Sequence, residues 1–493
     1  MVMDHVLSVV VLIVIAAVTV FLYRRHTHLS WIPKPPCHFI FGHYGLFQDY
    51  TVILEKLKDI TIKYGGMIRI HLPPMKPGIL VTDPGILRSL LMSEQALSKS
   101  RFYNFLKPLL GEGLLTISGD RWKSHRRLIN PSLGRISFLR NCITTFESKG
   151  DILLEKIKEE SNNSHINLLP MMKMYTMDVI CETAMGLSSN YQNNHNYQYM
   201  HSIETIFKIV LKRMRTLKRF DFIFKLTKDH QILTENLRIN DEFFTVIMEE
   251  KSNKNAQQTE ESSQLTFLDM LLQLFRQGSS ITVRNIKDEV NTMILGGHDT
   301  TSIGLSFTLY ALAHHPDIQE KVHQEQIHIF GNATEPKTVS YDNLQEMKYL
   351  EMVIKEALRL YPPIPVIARE LTGDIILDGG SVLPKNLNVG IFIYGCHRDP
   401  KYFPNPEVFD PNRFMSDDIL PFTHLPFSGG PRNCIGQKFA ILQMKSCISK
   451  IVRNFHLIAP ESEDELVLVP DVTLKPKNGL KITVRRRHTQ HHQ

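Results

Sequence analysis

The sequence predicts a mainly α-helical protein with small β-sheets, an α+β chain set behind an N-terminal transmembrane helix. Three observations carry this expectation. Helical patterning dominates roughly residues 132–250 and returns over a long stretch at 286–312. Strand signals are short and lie around Gly and Pro turns. An uncharged, mostly aliphatic run from Val6 to Tyr23 is followed directly by Arg24-Arg25-His26. At 493 residues, length alone suggests about three domains of ~150 residues each, and 43% hydrophobic with 22% charged content describes an ordinary globular core.

Composition also excludes several classes. The six cysteines, at 37, 142, 181, 396, 434 and 447, form neither a CxxC pair nor a disulfide-like framework, which fits a reducing compartment. The net charge of +7 suits an anionic membrane surface or an acidic protein partner and is too diffuse to argue for nucleic acid. No Gly-x-Gly-x-x-Gly follows a strand and there is no Walker-type loop, so the chain has no evident nucleotide site of its own.

Taken in order, Val6–Tyr23 would span ~27 Å as a helix, enough for a bilayer core, and the following arginines place the bulk of the chain in the cytosol. A secretory signal would have a basic start and a shorter apolar core. The expected divisions are an anchor at 1–23, a basic and proline-rich hinge at 24–42, a globular domain at 43–484 and a basic disordered tail at 485–493. Within the hinge, Trp31-Ile-Pro-Lys-Pro-Pro36 reads as a stiff spacer, because each proline fixes φ and denies a hydrogen bond. Residues 67–72 and 78–82 read as strands. Ser118 offers an N-cap before a helix on which Trp122 and Arg126, four apart, share a face. Residues 207–220 mix cations with aromatic and aliphatic side chains, either as a membrane-touching lid or as a solvated helix face. Residues 251–263 read as an exposed loop.

Residues 286–312 read as a helix interrupted by Gly296-Gly297-His298-Asp299-Thr300-Thr301, since glycine costs up to about 1 kcal/mol in a helix interior. Glu356 and Arg359 lie three apart on a helix. Gly379-Gly380 signals a hairpin, 390–394 a buried strand, and 474–483 a second hairpin around Asn478-Gly479.

The stretch that organises the rest is Phe427-Ser-Gly-Gly430-Pro-Arg432-Asn-Cys434-Ile-Gly436, which leads into a helical pattern from Gln437. Cys434 is the candidate metal ligand. A thiolate binds iron only with its proton removed, and a loop ending at a helix N-terminus favours that through backbone N–H groups and the helix dipole. Gly430 and Gly436 would permit tight turns and the close approach of a flat macrocycle. Arg432 can face a carboxylate with its planar fork, and Phe427 would shield the sulfur from water. A buried free cysteine in a chance loop is the alternative, against which stand four fixed companions of the sulfur.

The spacing Phe-x-x-Gly-x-Arg-x-Cys-x-Gly resembles the haem-ligand loop of the cytochrome P-450 monooxygenases, and the resemblance covers roughly residues 30–484. It implies a single haem-centred triangular fold, with haem b held by the Cys434 thiolate. Trp122, Arg126, Arg369 and Arg432 would contact haem propionates, while Phe427, Gly430 and Gly436 shape the ligand loop. Gly296 and Gly297 would open a distal groove for O2, where Thr300, with Thr301 beside it, and Asp299 deliver protons. Glu356, Arg359 and Arg413 would form a buried cluster bracing the thiolate loop. Candidate contacts at 122, 126, 299, 300, 369, 432 and 434 make nearly the whole chain close on one haem, hence one domain.

Anchor and hinge resemble those of microsomal members, which implies a single-pass protein of the endoplasmic reticulum membrane with its catalytic domain on the cytosolic face. Electrons would come from a separate NADPH-cytochrome P-450 reductase, with cytochrome b5 as a further donor. Lys438, Lys445, Lys123 and Arg127 would meet the acidic reductase. The segment Glu289–Thr301 resembles the signature of the family-four group, many of which hydroxylate fatty acids near the chain end. Many of those carry, where Gly296 stands, a glutamate that esterifies the haem, so here the haem is expected to be noncovalent apart from the thiolate. The expected activity is insertion of one oxygen atom of O2 into a small apolar, lipid-like substrate: a fatty acid, terpenoid hormone or xenobiotic. Two other readings are a reductase-independent isomerase or dehydratase of lipid peroxides, which Thr300 disfavours, and a non-catalytic haem or lipid carrier.

Overall fold

Local capping chemistry explains where many of the helices begin. Asp83 accepts from the N–H of Ile86 and Pro84 occupies the first helical position of the helix that starts there. Thr266 with Asp269, and Thr282 with Asn285, form reciprocal capping boxes at two further starts. The computed structural model describes residues 29–487 except 74, 162–164, 195–196, 258–264, 332–338, 417 and 462–464.

In chain order the elements that matter here are α1 (Ile53–Lys63), β1 (Met67–Ile70), β2 (Gly78–Val81), α2 (Pro84–Met92), α3 (Gly119–Gly134), α4 (Ile136–Glu160), β3 (Ile166–Asn167) and α5 (Leu168–Ile180). They continue with α6 (Gln198–Arg215), α7 (Lys228–Gln257), α8 (Phe267–Arg276), α9 (Val283–His314), α10 (Pro316–Phe330) and α11 (Lys348–Leu360). The last third holds β4 (Ile367–Glu370), β5 (Ile375–Ile376), β6 (Val382–Leu383), β7 (Asn388–Ile391), α12 (Gln437–Asn454), β8 (Phe455–Ile458), β9 (Leu468–Pro470), β10 (Leu474–Pro476) and β11 (Lys481–Arg486). The mainly helical expectation with small sheets agrees with this architecture.

The larger sheet has the order β1-β2-β7-β4. β1 and β2 pair antiparallel from Met67↔Val81 to Ile70↔Gly78, and β2 then pairs parallel with β7, Gly78 against Asn388. A smaller apolar cluster, including Ile79, Val81, Val389 and Ile391, packs on this sheet. The helices share one large core that contains both Ile53 and Val484. Its axis is α9, a helix of 32 residues that is buried continuously from Thr301 to Ala313. α9 lies so close to α5 that a Cβ on Gly297 would come within 2.6 Å of Ile180 Cδ1.

Several expectations need correction. The glycine-rich stretch does not interrupt α9, which runs unbroken through Gly296–Thr301. Of the loop expected at 251–263, residues 251–257 instead continue α7, with Lys251 buried and paired with Asp269 at 2.7 Å, and 258–263 lie outside the described residues. The strand expected at 390–394 ends at Ile391, and Ile393–Cys396 is a helical turn. Asn478-Gly479 does turn the chain, Gly479 having φ +82°, yet the strands on either side do not pair with each other. β10 joins β9 while β11 lies between β3 and β8, so the two strands diverge into different sheets. Arg485 and Arg486 are not disordered: they continue β11 opposite His456 and Phe455. The hairpin at Gly379-Gly380 is present between β5 and β6, with φ of +88° and +83°. Among the described residues no helix is long and apolar enough to cross a membrane, and the expected anchor at 1–23, residues 24–28 and residues 488–493 lie outside them.

Candidate functional site

The cysteine loop is shaped by backbone contacts that tie it to α2. Gly430 has φ +67°, and a Cβ there would lie 2.0 Å from the carbonyl oxygen of Leu91, so both conformation and space demand glycine. Gly436 is different: its φ is −90°, and a Cβ would meet no protein atom within 4 Å, which leaves the start of α12 open to a flat group. Cys434 N–H donates to Phe427 O at 2.9 Å and Asn433 N–H to Gly430 O at 3.1 Å, closing the loop on itself. Cys434 is the exposed member of the six cysteines.

The thiol is not acidified by the loop alone. Protein packed around the sulfur on its enclosed side pushes its pKa up, and this outweighs the lowering by the Gly436 N–H and the Arg126 guanidinium. The expectation that loop amides and helix dipole suffice to keep the proton off is therefore corrected. A bound cation would supply the remainder, since a coordinating thiol is deprotonated outright.

Around the loop lies a group of cations without acidic partners. Arg126 on α3 donates to Asn433 O at 3.0 Å and to Asn433 Oδ1 at 2.8 Å. Arg432 is buried, lies 4.9 Å from the ring of buried Trp122, and donates to the carbonyls of Leu97, Leu114 and Ile117. Arg369 on β4 is 2% exposed and donates to Ala368 O. Lys99, which the sequence reading missed, bridges backbone to backbone with Arg369 and places its ammonium 4.3 Å from the Tyr103 ring. None of these four cations has an ion pair among the described residues.

Their charges are correspondingly strained. Burial, followed by the neighbouring Arg369 guanidinium, brings Arg432 down to about 9. Burial, then Arg369 and Arg432, holds Lys99 well below the usual lysine range. Burial also lowers Arg126 and Arg369. Uncompensated buried charge is costly, so the cluster calls for an anion. A soft thiol, an unobstructed glycine beside it and four unpaired cations fit a flat, doubly anionic iron macrocycle. Among the described residues no group of three or more His, Cys, Asp or Glu forms an alternative metal cage.

On α9, Gly296 is exposed and a Cβ there would meet no protein atom within 4 Å. Thr300 is one turn on, and its hydroxyl donates to Gly296 O at 2.7 Å. Gly297 does not share that opening, because it packs on Ile180; the expectation of a groove made by both glycines narrows to Gly296. Asp299 is buried with both oxygens engaged: Thr473 Oγ1 donates to Oδ2 at 2.8 Å, and Lys173 Nζ lies 3.9 Å from Oδ1. Lys173 in turn pairs with Glu204 on α6. Thr301 is buried one position further round the helix and does not reach the face that Gly296 and Thr300 share. Neighbouring His298 is buried with Nε2 unpartnered, and burial takes its pKa down to about 4.

Glu356, Arg359 and Arg413 do come together. Arg359 grips Glu356 through Nε and Nη2 at 2.7 and 2.8 Å, with both side chains fully buried, and Arg413 Nε lies 3.4 Å from Glu356 Oε1. The link onward to the cysteine loop is His397, unassigned by the sequence reading: its Nδ1–H donates to Arg359 O at 3.0 Å, and its Nε2 accepts from Leu425 N–H at 2.7 Å. Ser118 does not use its side chain as a cap; the hydroxyl instead accepts from Lys99 N–H at 3.0 Å. Lys445 cannot meet a partner protein, since it is 1% exposed and held by Glu351 and Leu344 O; Lys123, Arg127 and Lys438 are exposed.

The family model described as Cytochrome P450 matches residues 32–484. The chain is 32% identical over 489 residues to Cytochrome P450 4c3 of Drosophila melanogaster, covering 94% of this chain and 91% of that protein. It is 33% identical to human Cytochrome P450 4V2, covering 91% of this chain and 88% of the relative. It is 32% identical to mouse Leukotriene-B4 omega-hydroxylase 3, covering 94% and 91%. A proximal cysteine loop, an unpaired cation cluster and a family match over nearly the whole described chain agree, and the chain belongs to the cytochrome P450 family, as a monooxygenase of the oxidoreductase class.

Proposed function

We propose that this monooxygenase inserts oxygen into a lipid-like substrate, with Cys434 as the proximal thiolate and electrons drawn from a separate NADPH-dependent flavoprotein reductase. The observation that carries the site assignment is the cluster of Lys99, Arg126, Arg369 and Arg432, unpaired with any carboxylate among the described residues around one exposed cysteine. Haem bound there supplies reductive activation of O2 and transfer of one oxygen atom to a C–H bond.

The chain's own residues do the rest. Cys434 would hold the iron, and Gly436, with no protein atom where its Cβ would stand, would admit the macrocycle beside it. Arg126, Arg369, Arg432 and Lys99 would neutralise the propionates of a bound haem. Phe427 would screen the sulfur. Thr300 presents a hydroxyl on the open face of α9, and Asp299 holds a carboxylate one residue away, connected through Lys173 to the partly exposed Glu204. That order offers a route for protons from solvent to the reacting face. Glu356, Arg359 and Arg413 brace the loop through His397.

Support for a lipid-like substrate comes from a relative named for leukotriene-B4 omega-hydroxylation. Gly296 in place of a haem-esterifying glutamate leaves the haem noncovalent, so strict selectivity for the terminal carbon is not expected. Membrane attachment through Val6–Tyr23, residence in the endoplasmic reticulum, and docking of reductase or cytochrome b5 near Lys123, Arg127 and Lys438 complete the reading. Leu217, Phe220 and Phe222, all exposed, favour the membrane-touching alternative for the adjoining basic segment.

The test is spectroscopic first. Reduced, CO-bound protein is expected to give the red-shifted Soret band of thiolate ligation, and Cys434→Ala is expected to lose both that band and turnover of a lipid panel with reductase and NADPH. Retention of both by Cys434→Ala ends this reading.

A further inference from the structure

Glu289 lies outside every role described so far, yet it is 2% exposed, and its ion pair among the described residues is with a histidine. Its Oε1 lies 2.6 Å from His125 Nδ1 on α3, and its Oε2 accepts from Leu114 N–H at 3.1 Å. The same turn of α9 grips the segment before α3 elsewhere: Asp288 accepts from Glu112 N–H at 2.8 Å and Asn291 donates to Leu109 O at 3.1 Å. The approach is close, since a Cβ on Gly111 would fall 2.0 Å from Asp288 Oδ1 and one on Gly113 2.2 Å from Thr292 Oγ1.

Both residues held by Glu289 lead to the cysteine loop. Leu114 belongs to the turn whose Leu114 and Ile117 carbonyls receive Arg432. His125 precedes Arg126, which holds Asn433 by its backbone and side-chain oxygens at 3.0 and 2.8 Å. Arg432 and Asn433 are the two residues before Cys434. Protein contacts therefore run from α9 to the thiolate loop along two branches that share one carboxylate.

We propose that Glu289 is a positioning residue for the monooxygenase reaction: through Leu114 and His125 it sets the Arg432 and Arg126 contacts that orient the thiolate loop and its cations toward the haem. This rests on the Cys434 site assignment, which the CO spectrum of the parent protein tests separately. Glu289→Gln keeps size but loses the charge that His125 meets, and His125→Gln removes the other partner. Outer contacts of this kind typically change metal affinity by 10–100-fold.

The experiment uses the full-length holoprotein, with haem transfer to excess apomyoglobin and the haem reduction potential as readouts. Glu289→Gln and His125→Gln are each expected to release haem about tenfold faster than the parent and to shift the potential. The double variant is expected to release haem no faster than the more affected single variant, because the His125 branch is one of the two that Glu289 itself holds. Release within about twofold of the parent in both single variants with the potential unmoved, or effects that multiply in the double variant, would overturn the proposal. Should Glu289→Gln fail to fold, the more accessible His125→Gln decides alone, by the same release rate and potential.

Discussion

Single residues decide more here than their size suggests, and the glycines show it best. Gly430 is required by positive φ and by Leu91 O, whereas Gly296 is a helical glycine with open space where a side chain would go. That contrast yields a direct expectation at position 296. Acidified organic solvent is expected to extract all haem from the parent protein, because among the described residues no carboxylate stands on that turn of α9 beyond Asp299, which is engaged elsewhere. Gly296→Glu adds a Cβ that meets no protein atom within 4 Å and carries a carboxyl on that face, and a fraction of haem is expected to remain with the polypeptide after turnover and extraction. Complete extraction from Gly296→Glu would mean that the open face of α9 does not point at the macrocycle edge. The cysteine motif and its arginines were legible in the sequence because their chemistry is carried by residue type and spacing. Lys99 was not, since a lysine between two serines has no local signature and becomes a site residue only where the chain brings it against Arg369.

Helix α9 shows how an element divides its labour. Thr300 shares an open face with Gly296, and Asp299 points into a buried network with Lys173, Thr473 and, beyond them, Glu204. Thr300→Val removes the hydroxyl while keeping the shape, and product formation is expected to fall by about a hundredfold, the lower range for a positioned proton donor. NADPH consumption should fall much less, so the ratio of product to NADPH is the measurement; an unchanged ratio would remove Thr300 from proton delivery. The sequence singled out these residues but misread the helix as broken. Its glycine penalty, about 1 kcal/mol each, is small against the burial of the following turns, and Gly297 is also repaid by close packing on α5. A similar limit explains the tail. Asn478-Gly479 has the chemistry of a turn, which is local, whereas strand partnership is decided by distant β8, β9 and β3, which no short window contains.

Over the whole molecule, buried histidines recur, and two of them, His397 and His43, sit between backbone groups. His397 donates from Nδ1 and accepts at Nε2, which requires the uncharged ring, and burial holds its pKa well below the usual histidine value. Burial likewise lowers His424 to about 3 and His298 to about 4, and it lowers His43, whose Nδ1 accepts from His71 N–H at 2.9 Å while its Nε2–H donates to Pro35 O at 3.1 Å. In the unfolded chain each ring titrates near 6.5. Above that pH both states are uncharged and these rings add no pH dependence. As pH falls below about 6.5 the unfolded chain takes up protons that the folded chain refuses, so stability falls by up to about 1.4 kcal/mol per pH unit for each such ring. The loss continues until the folded values, near 4 and 3 for His298 and His424, are reached. Denaturant midpoints measured between pH 7.5 and 5 are therefore expected to drop steadily in the parent protein. His397→Gln, which can donate and accept at the same two backbone groups, is expected to flatten that slope by about one proton and to retain the thiolate CO band. A slope unchanged by His397→Gln would mean that the link between the Glu356–Arg359 cluster and the cysteine loop does not depend on a neutral imidazole.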